Sequence, residues 1–325
     1  MGMLVDGKWL DDDRGVRSQD GKFVRKPTSF HNQIKADGST PYTPDAGRYH
    51  LYISLACPWA HRTLIFRKLK GLEGIIDLSI VDHFMAENGW SFGTGPGCIP
   101  DPIHNADYMH QIYTACDPEY TGRVTVPVLW DKQTNVIVNN ESSEIIRMFN
   151  SEFAAHSNND FDFYPENLRT DIDAINDRIY TTVNNGVYKS GFASSQEAYE
   201  KAFDELFDTL DFLDELLSNK RYLTGDRITE ADWRLFVTLI RFDAVYVSHF
   251  KCNLRRIDDY ANLSHYLREL YQIPGIADTV DMHHIKHHYF GSHETINPLR
   301  IVPKGPALDY TQPHDRARLP TSIQG

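Results

Sequence analysis

Hydrophobic and polar positions follow two different patterns in the two halves of this chain. Between about residues 48 and 150, short apolar runs alternate with segments of helical spacing, which predicts a unit of mixed strands and helices. Over 49–55, apolar residues alternate with more polar ones, the pattern of a half-buried strand. Apolar residues then recur at helical spacing over 64–69 and end at Gly71, which predicts a helix directly after this strand.

The remainder of this half contains three more strand-like runs and one short helix. A second strand is predicted at 75–81, and the runs 125–130 and 136–138 flank a polar segment as in a β-hairpin. The segment 142–149 has the spacing of a short helix. Between 88 and 118 the chain is rich in glycine and proline without clear periodicity, so we expect a long loop of the kind that often binds or covers a ligand.

From about residue 165 the pattern is helical throughout. It predicts a second half made only of α-helices, so the expected fold class is α/β followed by all-α. The predicted helices are an apolar stripe over 172–183 that ends near Gly186, a longer helix over 194–217, a helix over 233–242 behind a Thr229–Asp232 capping box, and helices over 264–271 and 275–289.

Four segments are therefore expected along the 325 residues. They are an N-terminal extension over 1–45, a mixed unit over 46–155, a helical unit over 165–290 and a C-terminal tail over 291–325. A chain of this length has room for two domains with cores of their own. The extension and the tail are polar and interrupted by prolines, so we expect extended segments that run along the surface.

Composition and charge exclude several classes of function. The net charge is −12 and basic residues form no concentrated run, which argues against a nucleic-acid partner. Apolar stretches are too short to cross a membrane. The four cysteines are few and scattered, as is typical of the reducing cytosol, and residues 1–13 lack the basic and apolar regions of a signal peptide. We expect a cytoplasmic protein without a membrane partner.

The segment Cys57-Pro58-Trp59-Ala60 lies between the first predicted strand and its helix. Cys57 would occupy the N-terminus of the helix, with Pro58 at the first helical position. Free amide groups and the helix dipole favour an anion there, which should lower the pKa of the thiol and make it reactive. Ala60 replaces the second cysteine of a dithiol motif, so Cys57 should form mixed disulfides with an external thiol. The alternative is an inert structural cysteine.

Two further features each allow two interpretations. Pro127 lies inside an apolar run, either as an ordinary edge-strand proline or after a cis bond that leaves the backbone of Val126 free to pair with a ligand. The four histidines of 283–288 include two pairs at i, i+4 spacing, which can present imidazoles to a metal. Because no further ligand is evident, we expect a solvated or packing role and no bound metal.

Seven separated segments together resemble one known family. The chain is similar to the glutathionyl-hydroquinone reductases, the Xi class of glutathione transferases. The segments are 57–62 (CPWAHR), 89–92 (GWSF), 122–131 (GRVTVPVLWD), 139–145 (NNESSEI), 185–193 (NGVYKSGFA), 229–236 (TEADWRLF) and 241–246 (RFDAVY). The resemblance implies a thioredoxin-like, glutathione-binding N-terminal domain followed by an all-helical glutathione-transferase domain.

The resemblance also implies roles for individual residues. Cys57 is the expected nucleophile, Tyr188 the acid/base that exchanges a proton with the substrate ring, and Tyr246 and Tyr289 direct hydroxyls at the cysteine sulfur or the quinol oxygens. The residues expected to hold glutathione are Trp90, Arg123, Val124, Thr125, Val126, Glu141 and Ser142.

The chemistry of two of these residues agrees with the expected ligand. Glu141 can accept hydrogen bonds from the γ-glutamyl ammonium, and Ser142 with the following amides can hold its carboxylate at a helix N-terminus. The alternative for both residues is simple helix capping.

The expected activity is the glutathione-dependent reduction of glutathionyl-hydroquinones, through a Cys57–glutathione mixed disulfide and with release of oxidised glutathione. Glutathione is then a co-substrate, the other partner is the glutathionyl-hydroquinone, and the family implies a homodimer. Two alternatives stay open. One is a broader thioltransferase or dehydroascorbate reductase like the Omega class, and the other is a non-catalytic glutathione-binding module.

Overall fold

The computed structural model describes residues 2–11 and 18–322. The described residues form two compact units. The first contains residues 2–11, Lys26–Phe161 and Asp278–His293, and the second contains 18–25, Asp162–Ala277 and 294–322. The domain limits drawn from the sequence stay a prediction, and positions 1, 12–17 and 323–325 of the expected extension and tail lie outside the described residues.

A four-stranded mixed sheet forms the centre of the first unit. The strands, in their order across the sheet, are β4 (Asp77–Ile80), β3 (Tyr49–Ile53), β6 (Val128–Asp131) and β7 (Val136–Asn139). Strand β3 pairs parallel to β4 and antiparallel to β6, with Tyr52 opposite Val128, and β6 and β7 form the predicted hairpin.

Strand β3 is buried on both faces, so the prediction of a half-buried strand is wrong. Its more polar residues have partners inside the protein instead of water. His50 Nε2 lies 2.7 Å from Ser79 Oγ, and the Tyr52 hydroxyl donates to Asp101 Oδ1 at 2.8 Å. Burial lowers the pKa of His50 to about 4, so the ring is neutral near pH 7 and can be accommodated in the core.

The N-terminal extension contributes a second sheet, which the sequence pattern did not predict. Strands β1 (Met3–Val5), β2 (Lys8–Leu10) and β5 (Gly122–Arg123) pair antiparallel in the order β2-β1-β5. Each strand has only two or three residues, too few for periodicity to be recognised. The sheet ties the start of the chain to the segment that leads into β6.

Four α-helices complete the first unit. They are α1 (Pro58–Leu69), α2 (Met109–Cys116), α3 (Ser142–Ser151) and α10 (Met282–Ser292). Helix α2 lies within the segment predicted as an irregular loop, so that prediction is wrong over its last part. With eight residues, α2 makes only about two turns, and its apolar face repeats too few times to give a clear pattern.

The second unit is helical, as expected. Its helices are α4 (Arg169–Ile179), α5 (Gly186–Gly191), α6 (Gln196–Leu216), α7 (Glu230–Arg241), α8 (Val247–His249) and α9 (Leu263–Gln272). The predicted capping box before α7 is confirmed, since Thr229 and Asp232 exchange both hydrogen bonds. Among the described residues, no helix is long and apolar enough to cross a membrane.

One predicted helix limit is confirmed and another differs from the structure. The stripe over 172–183 ends near Gly186 as expected, since α4 passes into a π-helical segment, Tyr180–Asn184, and the separate helix α5 begins at Gly186. The single helix predicted over 275–289 is interrupted: a 3₁₀ turn at Ala277–Thr279 is followed by α10. Asp281 starts α10 by accepting a hydrogen bond from the amide of His284 at 2.8 Å, as an N-cap residue does.

The C-terminal tail is anchored through one buried arginine. Arg316 is fully buried, and its guanidinium donates to the carbonyl oxygens of Leu217, Lys220 and Arg221 at 2.5–2.8 Å. These carbonyls follow the last turn of α6, where backbone acceptors have no helical partners. The tail therefore supplies hydrogen-bond donors to the carbonyl groups at the C-terminal end of α6.

Candidate active site

Cys57 lies where the sequence predicted it, at the N-cap position of α1 after strand β3. Pro58 is the first helical residue, and the Cys57 carbonyl accepts the first helical hydrogen bond from His61 at 2.9 Å. The Cys57 side chain is partly exposed. Unpaired amide groups at the start of a helix favour a negative charge there. The position is therefore suited to a thiolate.

The other three cysteines have environments that disfavour a thiolate. Burial raises the pKa of Cys98, where the Asp82 carboxylate adds to the effect, and burial also raises the pKa of Cys116. Cys252 is completely buried, which raises its pKa to about 12. All four cysteines are free thiols. Cys57 is the candidate nucleophile among them.

The carbonyl of Val126 lies beside the thiol, with Cys57 Sγ at 3.6 Å from the oxygen. The Val126–Pro127 bond is cis. Pro127 immediately precedes β6, which has strand neighbours on both sides, so the interpretation as an ordinary edge-strand proline is wrong. Outside the strand, its missing N–H removes no hydrogen bond from the sheet.

A buried tyrosine that the sequence did not indicate holds the residue before Val126. The Tyr113 hydroxyl donates to the carbonyl of Thr125 at 2.9 Å and accepts from the Thr125 amide at 3.2 Å. It also accepts from Asn140 Nδ2 at 3.1 Å. Burial raises the pKa of Tyr113 to about 12, so the hydroxyl keeps its proton near pH 7 and can donate it to the Thr125 carbonyl. One hydroxyl thereby fixes the backbone next to the thiol.

Glu141 and Ser142 lie at the N-terminus of α3. Glu141 is the N-cap residue, and its carboxylate accepts from the amide and the hydroxyl of Ser143, each at 3.0 Å. The Ser142 hydroxyl accepts from Arg62 of α1 at 3.4 Å. Capping by Glu141 is thus observed, and a role of Glu141 and Ser142 in binding glutathione stays a prediction.

The remaining residues expected to hold glutathione also belong to the first unit. Arg123 lies on β5 and donates to the carbonyl of Gly2 at 3.2 Å, and Val124 lies between β5 and β6. Trp90 is almost buried, and its indole stacks on the imidazole of His288, with ring centroids 4.7 Å apart. The sequence did not single out His288 for this contact.

The three candidate tyrosines belong to different units. Tyr289 lies on α10 in the first unit, where its ring contacts His288 and His293. Tyr188, on α5, and Tyr246, which ends a π-helical segment, lie together in the second unit with ring centroids 6.3 Å apart.

An arginine of the N-terminal extension, absent from the sequence-based predictions, lies against Tyr188 in the second unit. Arg25 Cζ is 5.1 Å from the centroid of the Tyr188 ring, and Arg25 Nε donates to Asn185 Oδ1 at 2.7 Å. A guanidinium over an aromatic face is an attractive arrangement. No motif in the sequence connects residue 25 with residue 188.

The histidines of α10 hydrogen-bond to main-chain carbonyl groups. His284 Nε2 lies 2.7 Å from the Pro96 oxygen, and His287 Nδ1 lies 2.9 Å from the His283 oxygen. Within residues 2–11 and 18–322, no group of three or more potential ligands is arranged to hold a metal ion. The absence of a metal from the reaction stays a prediction.

Comparisons with known proteins give matches over both units of the chain. Two family models match: that of the glutathione S-transferase N-terminal domain covers residues 56–152, and that of the C-terminal domain covers 196–269. The glutathionyl-hydroquinone reductase YqjG of Escherichia coli is 54% identical over 97% of this chain and 98% of its own length.

Two solved structures are similar over nearly the whole chain. The Xi-class glutathione transferase of Natrialba magadii superposes with a TM-score of 0.94 at 50% identity, covering 99% of this chain and 98% of its own. Glutathione-bound YqjG of Escherichia coli K-12 gives a TM-score of 0.89 at 51% identity, covering 97% of this chain and 99% of its own.

We predict that iodoacetamide near neutral pH alkylates Cys57 at least about tenfold faster than the other three thiols, because only the thiolate reacts. Peptide mass spectrometry over a time course measures the four rates. A Cys57→Ser variant is the control and should leave only slow labelling. Labelling of Cys98 or Cys116 as fast as Cys57 would contradict the assignment of the nucleophile.

Proposed function

Because this chain belongs to the glutathione transferase family, and within it to the Xi class of glutathionyl-hydroquinone reductases, we propose that it reduces glutathionyl-hydroquinones to hydroquinones with glutathione as co-substrate. The observation that supports this most directly is Cys57 at the N-terminus of α1, beside the Val126 carbonyl and with Ala60 in place of a second cysteine. The fold is a thioredoxin-like domain with a helical glutathione-transferase domain.

In the first step, the Cys57 thiolate attacks the sulfur of the glutathionyl group. A disulfide forms between Cys57 and glutathione, and the bond between sulfur and the ring carbon breaks. The electron pair of that bond goes to the ring, which takes up a proton and leaves as the hydroquinone. The ring is reduced by two electrons, and the two sulfurs are oxidised to a disulfide.

In the second step, the thiolate of another glutathione attacks the mixed disulfide. Oxidised glutathione leaves and the Cys57 thiolate is regenerated. Because residue 60 is alanine, no neighbouring cysteine in this motif can perform the attack. The cycle therefore consumes two glutathione units, one from the conjugate and one from solution.

The first unit offers suitable groups for the glutathione tripeptide. The backbone of Val126 can pair with the cysteinyl residue as an added strand would. At the N-terminus of α3, Glu141 can accept from the γ-glutamyl ammonium and Ser142 can hold its carboxylate. Arg123 and Trp90 are proposed to contact the charged and apolar parts of the peptide. Val124 and Thr125 form the backbone that leads to Val126.

The tyrosines are proposed to supply hydroxyl groups. Tyr188 gives a proton to the ring carbon as the bond to sulfur breaks. Tyr246 and Tyr289 direct hydroxyls at the cysteine sulfur or the quinol oxygens. Tyr188 and Tyr246 lie near each other in the second unit, with ring centroids 6.3 Å apart, and this proximity supports a shared role for the two.

We predict that Cys57→Ser lowers hydroquinone release to below about one thousandth of the wild-type kcat, because the serine hydroxyl is a far weaker nucleophile than a cysteine thiolate near neutral pH. The Kd for glutathione should change less than about twofold. Chromatography of the hydroquinone product and titration calorimetry measure the two quantities.

Cys98→Ser is the matched control for that variant, since Cys98 is a partly exposed thiol of the same unit. It should keep wild-type activity. Continued hydroquinone release by Cys57→Ser would refute the mechanism.

We predict that Tyr188→Phe lowers kcat on a glutathionyl-hydroquinone about a hundredfold, because the ring carbon then lacks its proton donor. Reduction of a small glutathione mixed disulfide, which needs no ring protonation, should be unaffected. Tyr180→Phe is the control, since Tyr180 is an exposed tyrosine of the same helical run.

Equal losses on both substrates would contradict the role of Tyr188. If the wild-type protein reduced dehydroascorbate or the mixed disulfide faster than the quinol conjugate, the Omega-like alternative would take precedence.

We also propose that the chain works in the cytoplasm as a homodimer. Four free thiols suit a reducing compartment, and the family resemblance implies the dimer. Sedimentation velocity should give a mass of two 37.4 kDa chains, and the mass of a single chain would contradict this proposal.

A further inference from the structure

One face of helix α10 holds the segment that contains Trp90. Side chains at positions 284, 288 and 292, spaced at i, i+4 and i+8, lie on this face. Each makes a hydrogen bond to the main chain of residues 83–96. The bonds are His284 Nε2 to the Pro96 oxygen at 2.7 Å, His288 Nδ1 to the His83 oxygen at 2.9 Å, and the Met85 amide to Ser292 Oγ at 2.9 Å.

Of these three side chains, His288 also contacts the Trp90 ring. The two ring centroids are 4.7 Å apart and the planes differ by 25°, which is a stacked arrangement. Trp90 is 8% exposed and His288 is 7% exposed, so the contact is shielded from water. An indole held against a flat neighbour in this way has little freedom to rotate.

The hydrogen bond to His83 fixes the orientation of the imidazole. A carbonyl oxygen can only accept, so His288 Nδ1 is the donor and carries a proton. The ring is thereby anchored at one edge to the same segment whose tryptophan it stacks on. The main chain of Trp90 is tied separately, since its carbonyl accepts from the Met109 amide at 2.8 Å.

We propose that His288 is a positioning residue, which sets the orientation of the Trp90 indole for binding glutathione. The inference rests on the proposed function, in which Trp90 contacts the tripeptide. His288 acts through Trp90 and takes no part in the chemistry at Cys57. Its loss should therefore weaken the binding of glutathione and leave the turnover of the saturated enzyme nearly unchanged.

A double-mutant cycle in the full-length protein tests this role. The proteins are wild type, His288→Ala, Trp90→Ala and the double variant. Titration calorimetry gives the Kd for glutathione, and product release gives kcat at saturating glutathione. His288→Phe keeps a flat ring against the indole. His283→Ala is the matched control, because His283 is an exposed imidazole on the same helix.

We expect the Kd of His288→Ala for glutathione to rise about three- to tenfold, which corresponds to the free energy that one aromatic pair contributes. The kcat should stay within about twofold of wild type. In the Trp90→Ala background the same substitution should have no further effect. His288→Phe should bind more tightly than His288→Ala, and His283→Ala should match wild type.

Three outcomes would overturn the inference: an unchanged Kd in His288→Ala, an equal rise in both backgrounds, or His288→Phe binding no better than His288→Ala. If His288→Ala fails to fold, His288→Gln, which removes the ring, and its double variant with Trp90→Ala give the same cycle. An unchanged Kd in Trp90→Ala itself refutes instead the proposed contact of Trp90 with glutathione, while Cys57→Ser tests the reaction independently.

Discussion

The antiparallel register of β3 and β6 is the constraint on which the candidate site depends. Tyr52 pairs with Val128, so the end of β3 and the start of β6 lie at the same edge of the sheet. Cys57 follows the first strand and Val126 precedes the second, which brings the thiol and the Val126 carbonyl together. A shift of one residue in this register would turn the alternating side chains of β3 to the opposite face. The sheet thus determines the distance between the Cys57 thiol and the Val126 backbone that is proposed to bind the peptide.

The segment before β6 needs a second constraint, because residues outside a strand lack regular backbone partners. The Tyr113 hydroxyl supplies it by donating once and accepting twice, which uses its full hydrogen-bonding capacity. Its partner Asn140 adjoins Glu141, the N-cap residue of α3. The backbone at Thr125 and the start of α3 are therefore positioned by the same buried hydroxyl. Loss of that hydroxyl would leave buried polar groups without partners, which is costly in a protein interior.

Sequence reasoning found the parts of the site that depend on local pattern. The position of Cys57 followed from an apolar run, a proline and helical spacing, all within about twenty residues. Tyr113 and His288 could not be found in this way, because their partners Thr125 and Trp90 are distant in sequence or lie on a different element. Short elements were also missed, because β1, β2 and α2 have too few residues for a periodic pattern of apolar positions to be recognised. The N-terminal segment was expected to run along the surface as a polar, extended chain. Strand β1 of this segment instead pairs with β5, and this pairing depends on contacts between residues far apart in sequence, which a local pattern does not show.

The missing sulfur at position 60 and the exposure of Cys57 bear on how the proposed mixed disulfide would be resolved. Ala60 is fully buried one turn into α1, whereas Cys57 at the start of the same helix is partly exposed. In a dithiol motif, a cysteine at the position of Ala60 attacks the mixed disulfide from within the protein, and alanine has no sulfur for this step. Because Cys57 is partly exposed, a thiolate that arrives from solvent can approach it instead. In the proposed cycle glutathione supplies that thiolate, so the exposure of one position and the missing sulfur of the other, three residues apart, favour a cycle with a single protein thiol.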